Sequence, residues 1–206
     1  MGIGITELTV RIVVLAKQVP DPETPPSQFK IDESMNTVIP PNGVPPVVNG
    51  FDLNAVEAAL LLRDSGADVE ITVMSVGSDF AMDAMKKPLA MGADRLVLVD
   101  DSGLDNIDSA ATVRVLAAAI EKDGPYDLIL GGRQASDWDQ AHVTLGLSEV
   151  LGLPLVSLVQ KLELNGDSVS LQRVIPDGYQ TITAPVPSVL TITNELGEPR
   201  YPNLRG

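Results

Sequence analysis

Apolar runs that alternate with helical patterns constrain this chain more than any other feature of its sequence. Residues 10–16, 69–76, 95–99 and 126–130 form short apolar runs, and between successive runs lies a helical pattern of ten to twenty residues. Runs without polar alternation are typical of strands buried on both faces. Strands joined by helices form βαβ units with right-handed crossovers. The pattern therefore predicts an α/β fold: an open, mainly parallel sheet with helices on both faces.

Helices are predicted where caps and breakers bound the helical spacing. Asp108 is a plausible N-cap, and Ser78 is another, at the start of a helix that Pro88 should kink or shorten. Gly66 and Gly92 follow the first two helices, where glycine is favoured. The predicted helices span residues 49–64, 78–91, 108–122 and 140–151.

Residues 20–47 interrupt this pattern, because they are too rich in proline for a helix. Residues 29–32 and 37–39 are expected to form short edge strands within an elaborated loop. We expect packing or a partner to order this loop.

The last quarter of the chain changes from helical spacing to strands rich in β-branched residues. Hairpin turns are indicated at Asn165-Gly166 and Asp177-Gly178. The sequence thus predicts a single α/β domain over residues 1–206, with an antiparallel hairpin section at 155–193. The tail at 194–206 lacks periodicity and should be mobile unless it docks.

Composition excludes several classes of protein. The 206 residues include no cysteine, so disulfides, thiolate nucleophiles and cysteine-bound metal centres are excluded, and a cytoplasmic location is expected. The formal net charge of −14 disfavours binding to nucleic acid or to an anionic membrane. With one histidine and no cysteine, a classical nucleophile–base pair could be built only around His142. No apolar run approaches the roughly 18 residues that span a bilayer.

The stretch from Tyr126 to Val143 is the strongest candidate for a ligand site. An apolar strand ends in Gly131-Gly132, a polar loop follows, and a helix begins near Gln140. Glycine permits close approach to a ligand, and free N–H groups at a helix N-terminus suit a phosphate. Open α/β sheets bind ligands at this end of their strands, although many such junctions carry none, so both interpretations stay open.

Polar side chains of this loop have two interpretations each. In one interpretation, Asp137 and Asp139 hold a ribose, a metal or a catalytic proton. In the other, which is favoured, they cap the following helix. His142 in a first helical turn is more often structural than a general base, so its backbone N–H is the more credible contributor. Arg133 contacts a phosphate or a flavin edge, or it forms an ion pair with a nearby aspartate.

A second helix N-terminus is expected at the same end of the sheet, near Gly50 and Phe51. Asn49 at its start hydrogen-bonds an adenine or ribose, or it holds its own turn. Neither a Gly-x-Gly-x-x-Gly fingerprint nor a Walker loop stands at a strand–helix junction. This argues against a standard NAD site and against a P-loop NTPase.

Six strings of residues, in order over nearly the whole chain, carry a family resemblance. The fourth reads Gly-Arg-Gln-Ala-Ser-Asp-Trp-Asp, and the last contains Glu-Pro-Arg-Tyr. The strings lie within residues 13–21, 49–57, 89–95, 132–139, 173–191 and 194–201. Together they resemble the β subunit of electron-transfer flavoproteins. Any one string is weakly specific, whereas their common order is strongly so.

The resemblance implies a Rossmann-like, adenine-nucleotide-binding domain that supports electron transfer without bond-making catalysis of its own. It implies a heterodimer with a larger α subunit that carries the redox-active FAD, contacted by the tail at 194–206. Electrons would pass from dehydrogenases to a downstream acceptor. This chain would bind AMP or a second FAD, and no metal. The implied cofactor-binding residues are Leu15, Asn49, Gly50, Phe51, Asp52, Val76, Gly132, Arg133, Gln134, Ala135, Ser136, Asp137, Trp138, Asp139, Gln140, Ala141, His142 and Val143.

Backbone N–H groups of residues 140–143 would, by this resemblance, bind the phosphate, while Leu15, residues 49–52 and Val76 would line the adenosine. Arg133 together with Ala141 and Val143 favours the electron-bifurcating subgroup, which holds FAD. The departures at Trp138 and Gln140 leave AMP and FAD both open. The alternative function is a free-standing adenine-nucleotide sensor or hydrolase that resembles universal stress proteins.

Overall fold

A computed structural model describes residues 9–34, 37–105 and 107–203 of the chain. The strands are β1 (Val10–Leu15), β2 (Gln18–Val19), β3 (Lys30–Asp32), β4 (Thr37–Ile39), β5 (Val47–Val48), β6 (Val69–Gly77), β7 (Arg95–Asp100), β8 (Leu128–Gly132), β9 (Leu155–Asn165), β10 (Ser168–Ile175), β11 (Gly178–Pro185) and β12 (Ser188–Ile192). The α-helices are α1 (Gly50–Asp64), α2 (Met82–Met85), α3 (Lys87–Met91), α4 (Ser109–Asp123) and α5 (His142–Leu151).

The main sheet contains eight of these strands in the order β11-β10-β9-β12-β8-β1-β6-β7. The six strands from β9 to β7 pair in parallel, and β10 and β11 extend the sheet as an antiparallel meander. The predicted fold class, with its C-terminal antiparallel hairpins, is confirmed.

Strand β12 lies inside the parallel part of the sheet, although its position in the sequence suggests that it belongs to the hairpin section. It follows the two hairpins, yet it pairs in parallel with β8 on one side and with β9 on the other. All five of its residues are buried. Apolar patterning reports that a strand is buried but not which strands flank it, so the sequence grouped β12 with the hairpin section.

Helices cover both faces of the sheet, as predicted. Alternate side chains of a strand point to opposite faces. Ile12 and Val14 of β1 therefore enter the core beneath α1, whereas Val13 and Leu15 enter the core beneath α4 and α5. Burying each such side chain stabilises the fold by roughly 1.5–3 kcal/mol. No helix in the described part of the chain is both long and apolar enough to cross a membrane.

Two of the predicted helix starts have different outcomes. Asp108 caps α4 as expected, since its carboxylate accepts a hydrogen bond from the N–H of Ala111 at 2.8 Å. Ser78 is not a cap, because its hydroxyl donates to Asp105 and α2 begins only after Ala81. The expected interruption at Pro88 is confirmed, since two short helices, α2 and α3, replace one long helix.

The proline-rich segment forms two small antiparallel pairs, β2 with β5 and β3 with β4. These pairs lie outside the main sheet, so the predicted short strands exist but do not extend its edge.

The C-terminal tail docks onto its own chain as far as residue 203. Nε and Nη2 of Arg200 each donate to the carboxylate of Glu57 at 2.9 Å, and Nη2 also donates to Asp64 at 2.7 Å. The N–H of Asn203 donates to the carbonyl of Ala90 at 2.7 Å. The tail was expected to be ordered only if it docks, and it docks on α1 and on the carbonyl of Ala90 in α3. Residues 204–206 lie outside the described part.

Candidate functional site

Strands β1 and β8 lie side by side, yet the chain leaves them in opposite directions across the sheet. From β1 it crosses through α1 to β6, and from β8 it passes to the side that holds β9 and β12. The loops after β1 and β8 separate and open a crevice, the place where open α/β sheets bind ligands. A cleft of about 1240 Å³ lies there.

The structure brings most of the sequence-predicted site residues onto the wall of this cleft. Those that line it are Leu15, Asp52, Val76, Gly132, Gln134, Ala135, Ser136, Asp137, Trp138, Gln140, Ala141, His142 and Val143. Those that lie off its wall are Asn49, Gly50, Phe51, Arg133 and Asp139.

The N-terminus of α5 opens into the cleft without a side-chain cap. The helix begins at His142, two residues later than expected, after Ala141 with a left-handed φ of 56°. The first N–H groups of a helix have no partner within it. No side chain among the described residues caps this end of α5, so its N–H groups are available to an anion.

The expected capping by Asp137 and Asp139 is therefore wrong. Asp137 instead pairs with the ammonium of Lys17 at 2.6 Å, across the gap between the two strand ends. Asp139 accepts a hydrogen bond from the side-chain amide of Gln134 at 2.7 Å. Both carboxylates hold the loop that precedes α5.

The two glycines that end β8 let helices approach the strand from both faces. A Cβ on Gly132 would lie 2.5 Å from Oδ1 of Asp52 and 2.6 Å from the carbonyl carbon of Phe51, both in α1. A Cβ on Gly131 would collide with the side chain of Thr144 in α5. The glycines thus serve helix packing, whereas the sequence suggested close approach of a ligand.

Asp52 joins the two strand ends that flank the crevice. Its Oδ2 accepts from the N–H of Lys17 after β1 at 2.8 Å, and its Oδ1 accepts from the N–H of Gly132 at 3.0 Å. Burial raises the pKa of Asp52 to about 7, although these hydrogen bonds and one with Asn49 oppose the rise. Asp52 therefore fixes the width of the crevice and titrates near neutral pH.

Asn49 holds the loop after β8, in addition to its hydrogen bond with Asp52 in its own turn. Its side chain is 1% exposed, its Nδ2 donates to the carbonyl of Gln134 at 2.8 Å, and its Oδ1 accepts from the N–H of Ser136 at 3.2 Å. Because both ends of the amide are engaged, we assign Asn49 to support of the site.

Within the described part of the chain, Arg133 does not form the ion pair expected as its alternative arrangement, and its contact with a phosphate or a flavin stays a prediction. Its guanidinium lies over the ring of Phe51, 5.6 Å from the ring centre, and Arg133 is not among the residues that line the cleft. Among the described residues it forms no ion pair with a nearby aspartate. Its N–H donates to the carbonyl of Ile192 at 2.9 Å, which ties the loop to β12.

Sequence reasoning missed several residues of the cleft. Lys17 is the only lysine or arginine on its wall within the described ranges, and its place directly after β1 was the available signal. The C-terminal half of β6 contributes Met74 and Ser75, as the same strand-end rule predicts, and α4 with its cap contributes Asp108, Thr112 and Leu116. The proline-rich segment contributes Pro20, Asp21, Pro22, Thr24, Phe29, Thr37 and Val38, for which no sequence signal existed.

No metal-binding group of three or more His, Asp or Glu is found in the described part of the chain.

Comparison with known proteins identifies the family. Residues 37–205 match the family described as the electron transfer flavoprotein domain. The chain belongs to the electron transfer flavoprotein family. The electron transfer flavoprotein subunit beta of Megasphaera elsdenii is 40% identical over 203 residues, which cover 96% of this chain and 73% of the relative. The caffeyl-CoA reductase-Etf complex subunit CarD of Acetobacterium woodii is 39% identical over 197 residues, with the same two coverages. Protein FixA of Azorhizobium caulinodans is 36% identical over 197 residues, which cover 91% of this chain and 68% of the relative.

The resemblance found in the six strings is thereby confirmed. The relatives from Megasphaera elsdenii and Thermoanaerobacterium thermosaccharolyticum, each 40% identical, are electron transfer flavoprotein β subunits. The function in electron transfer, as a β subunit of a flavoprotein, is confirmed with it. The alternative of a sensor or hydrolase resembling universal stress proteins is not favoured.

Proposed function

We propose that this β subunit binds a second FAD in the cleft between β1 and β8, and pairs with an α subunit that carries another FAD. The observation that carries the proposal is the uncapped N-terminus of α5, which opens into a cleft of about 1240 Å³. Such a helix end supplies N–H donors and a partial positive charge to a phosphate.

The charges around the cleft support backbone recognition of the phosphates. Lys17 is the only lysine or arginine on the described wall, and Asp137 neutralises it at 2.6 Å. Asp21, Asp52 and Asp108 line the same cleft. Because the side chains supply little positive charge, the attraction for an anionic ligand must come from the peptide groups that start α5.

The size of the cleft favours FAD over AMP. Pockets for drug-sized ligands are typically about 300–1000 Å³, and this cleft is larger. Buried aliphatic side chains of Leu15, Met74 and Leu116 form a wall suited to adenosine. Phe29 and Val38 of the proline-rich segment also line the cleft, and its volume leaves room for a second ring system. The flavin would supply the electron-transfer chemistry, and this chain would bind and orient it.

We propose that the α subunit and dehydrogenases are the physiological partners. The relative CarD is named for a complex with a caffeyl-CoA reductase. Contact of the tail at 194–206 with the partner stays a prediction, supported by the 95% exposure of Tyr201 next to the anchored Arg200. The cytoplasmic location also stays a prediction.

Identification of the bound nucleotides tests this proposal. The chain is produced together with its α subunit, and the nucleotides are released by acid and separated by chromatography. We expect two FAD molecules in each heterodimer. One FAD with one AMP would overturn the assignment of FAD to the cleft, and one FAD alone would overturn the site itself.

Substitutions at Ala141 test the role of the α5 N-terminus. Ala141→Asp should cap α5 and raise the free energy of unfolding by about 0.5–2 kcal/mol, because Asp is favoured at N-caps and tolerates a left-handed φ better than Ala. The same carboxylate should repel the phosphate and weaken FAD binding. Ala141→Asn is the matched control, since it has the same size without the charge. Equal FAD affinities of the two variants, measured by calorimetric titration, would contradict a phosphate at this helix end.

A further inference from the structure

Trp138 is the least expected side chain on the wall of the cleft. It is the only tryptophan of the chain, and aromatic residues make up just 3% of the sequence. It lines the cleft and is nevertheless 69% exposed. An exposed indole keeps a large apolar surface in water, so a ligand or partner that covers it gains free energy.

The loop around Trp138 holds the residue in place. On one side Asp137 pairs with Lys17 at 2.6 Å, and on the other Asp139 accepts from Gln134 at 2.7 Å. The N–H of Trp138 itself donates within the turn at 3.3 Å. The position of the backbone is therefore fixed on both sides, as a platform for binding requires.

Trp138 and the aliphatic wall lie in different parts of the cleft. Leu15 and Met74 are 6% and 0% exposed, so they belong to its floor, whereas Trp138 stands at its mouth. The N-terminus of α5, which also opens into the cleft, begins four residues after Trp138. A dinucleotide with its adenosine on the floor and its phosphates at α5 would therefore have its second ring near Trp138 at the mouth.

We propose that the indole of Trp138 stacks on the isoalloxazine ring of FAD and so selects FAD over AMP; this rests on the proposed function of the cleft. Indole and isoalloxazine are both flat conjugated rings, which associate by offset stacking. AMP ends at its phosphate and has no ring to place there. Trp138 is thus a specificity-determining residue of this chain.

Titration of the nucleotide-free full chain with FAD and with AMP tests this role. Because Trp138 is the only tryptophan, its fluorescence reports on the indole directly. We expect FAD to quench the fluorescence strongly and AMP to leave it nearly unchanged. By calorimetry, Trp138→Ala should weaken FAD binding roughly 5- to 100-fold, the range of ring stacking, and alter AMP binding less than about two-fold.

Two further variants separate stacking from general effects. Trp138→Phe keeps an aromatic face and should restore most of the FAD affinity. Tyr179→Ala removes a comparably exposed aromatic side chain, 55% exposed on β11 and off the cleft wall, and should bind FAD like the wild type.

The outcomes distinguish this inference from the proposed function. If neither nucleotide binds the wild-type chain, the proposed function fails and the stacking role with it. If FAD binds and Trp138→Ala leaves its affinity unchanged, only the stacking role is overturned. Equal losses of FAD and AMP affinity in Trp138→Ala would also overturn the stacking role. If that variant binds FAD normally but no longer binds the α subunit, the indole belongs to the subunit interface and the stacking role is again overturned.

Discussion

At the scale of single residues, two side chains in and before the first turn of α1 shape the site by binding its backbone. Asp52 links the ends of β1 and β8, and Asn49 holds the loop that leads to α5. Their polar groups are satisfied by backbone donors and acceptors from distant parts of the chain. A buried carboxyl in such a place makes the stability of the site depend on pH.

Asp52 should reduce stability as the pH rises towards neutral. Its folded-state pKa of about 7 lies above its ordinary value of 3.8. The folded chain therefore keeps a proton that the unfolded chain releases, and the contribution of Asp52 to the free energy of unfolding falls between about pH 4 and 7. The full change is about 4 kcal/mol at most.

The variant Asp52→Asn isolates this effect, because its amide does not titrate. Urea unfolding of both proteins at pH 5, 6, 7 and 8 avoids the region of the pI, near 4.3. We expect the wild type to lose stability relative to Asp52→Asn as the pH rises through this range. A constant difference between the two proteins would place the pKa of Asp52 near its ordinary value.

At the scale of elements, the C-terminal end of β8 is enclosed by α1 on one face and α5 on the other. Gly132 meets the first turn of α1, and Gly131 meets the first turn of α5. Helix packing at this point brings the N-termini of two helices to one end of the sheet. The same glycines would be needed even if no ligand bound.

Gly132→Ala should therefore destabilise the ligand-free chain. The added Cβ meets the backbone of Phe51 and the carboxylate of Asp52, which have little room to move, so we expect a loss of about 1–3 kcal/mol. Gly50→Ala is the matched control, because nothing lies within 4 Å of its Cβ position at the start of α1. It should be neutral or stabilising by up to about 1 kcal/mol in urea unfolding. Equal stabilities of the two variants would contradict the packing role of Gly132.

At the scale of the whole molecule, the net charge of −14 means that side chains on average repel an anionic cofactor. We therefore expect backbone N–H groups to bind it. The cleft lies between two halves of the sheet that meet at β1 and β8. A ligand there contacts loops from both halves, so it should stabilise the chain as a unit.

FAD should raise the melting temperature of the isolated chain. At a concentration 100 times its Kd, a ligand that binds only the folded state adds about 2.7 kcal/mol. For a chain of this length each kcal/mol raises Tm by roughly 2–4 °C, so we expect a rise of about 5–10 °C. Ala141→Asp at the same FAD concentration should show a much smaller rise. An unchanged rise in that variant would indicate that FAD stabilises the chain from another place.

Much of the fold is encoded locally. The strand β1, the helix α4 with its cap at Asp108, and the break at Pro88 follow from apolar spacing and from backbone preferences of neighbouring residues. The loop from Gly132 to Val143 was recognisable as a site for the same reason, since a strand, a glycine pair and a helix start stand next to one another in the sequence.

By itself, the sequence determined the family, the alternation of strands and helices, and the location of the candidate site at one end of the sheet. Tertiary structure alone decided that β12 lies between β8 and β9, that Asp137 pairs with Lys17, and that Asp52 reaches Gly132, 80 residues away. The physical reason is that periodicity and caps depend on neighbours along the chain, whereas these partners are chosen by packing between distant segments, which no local pattern records.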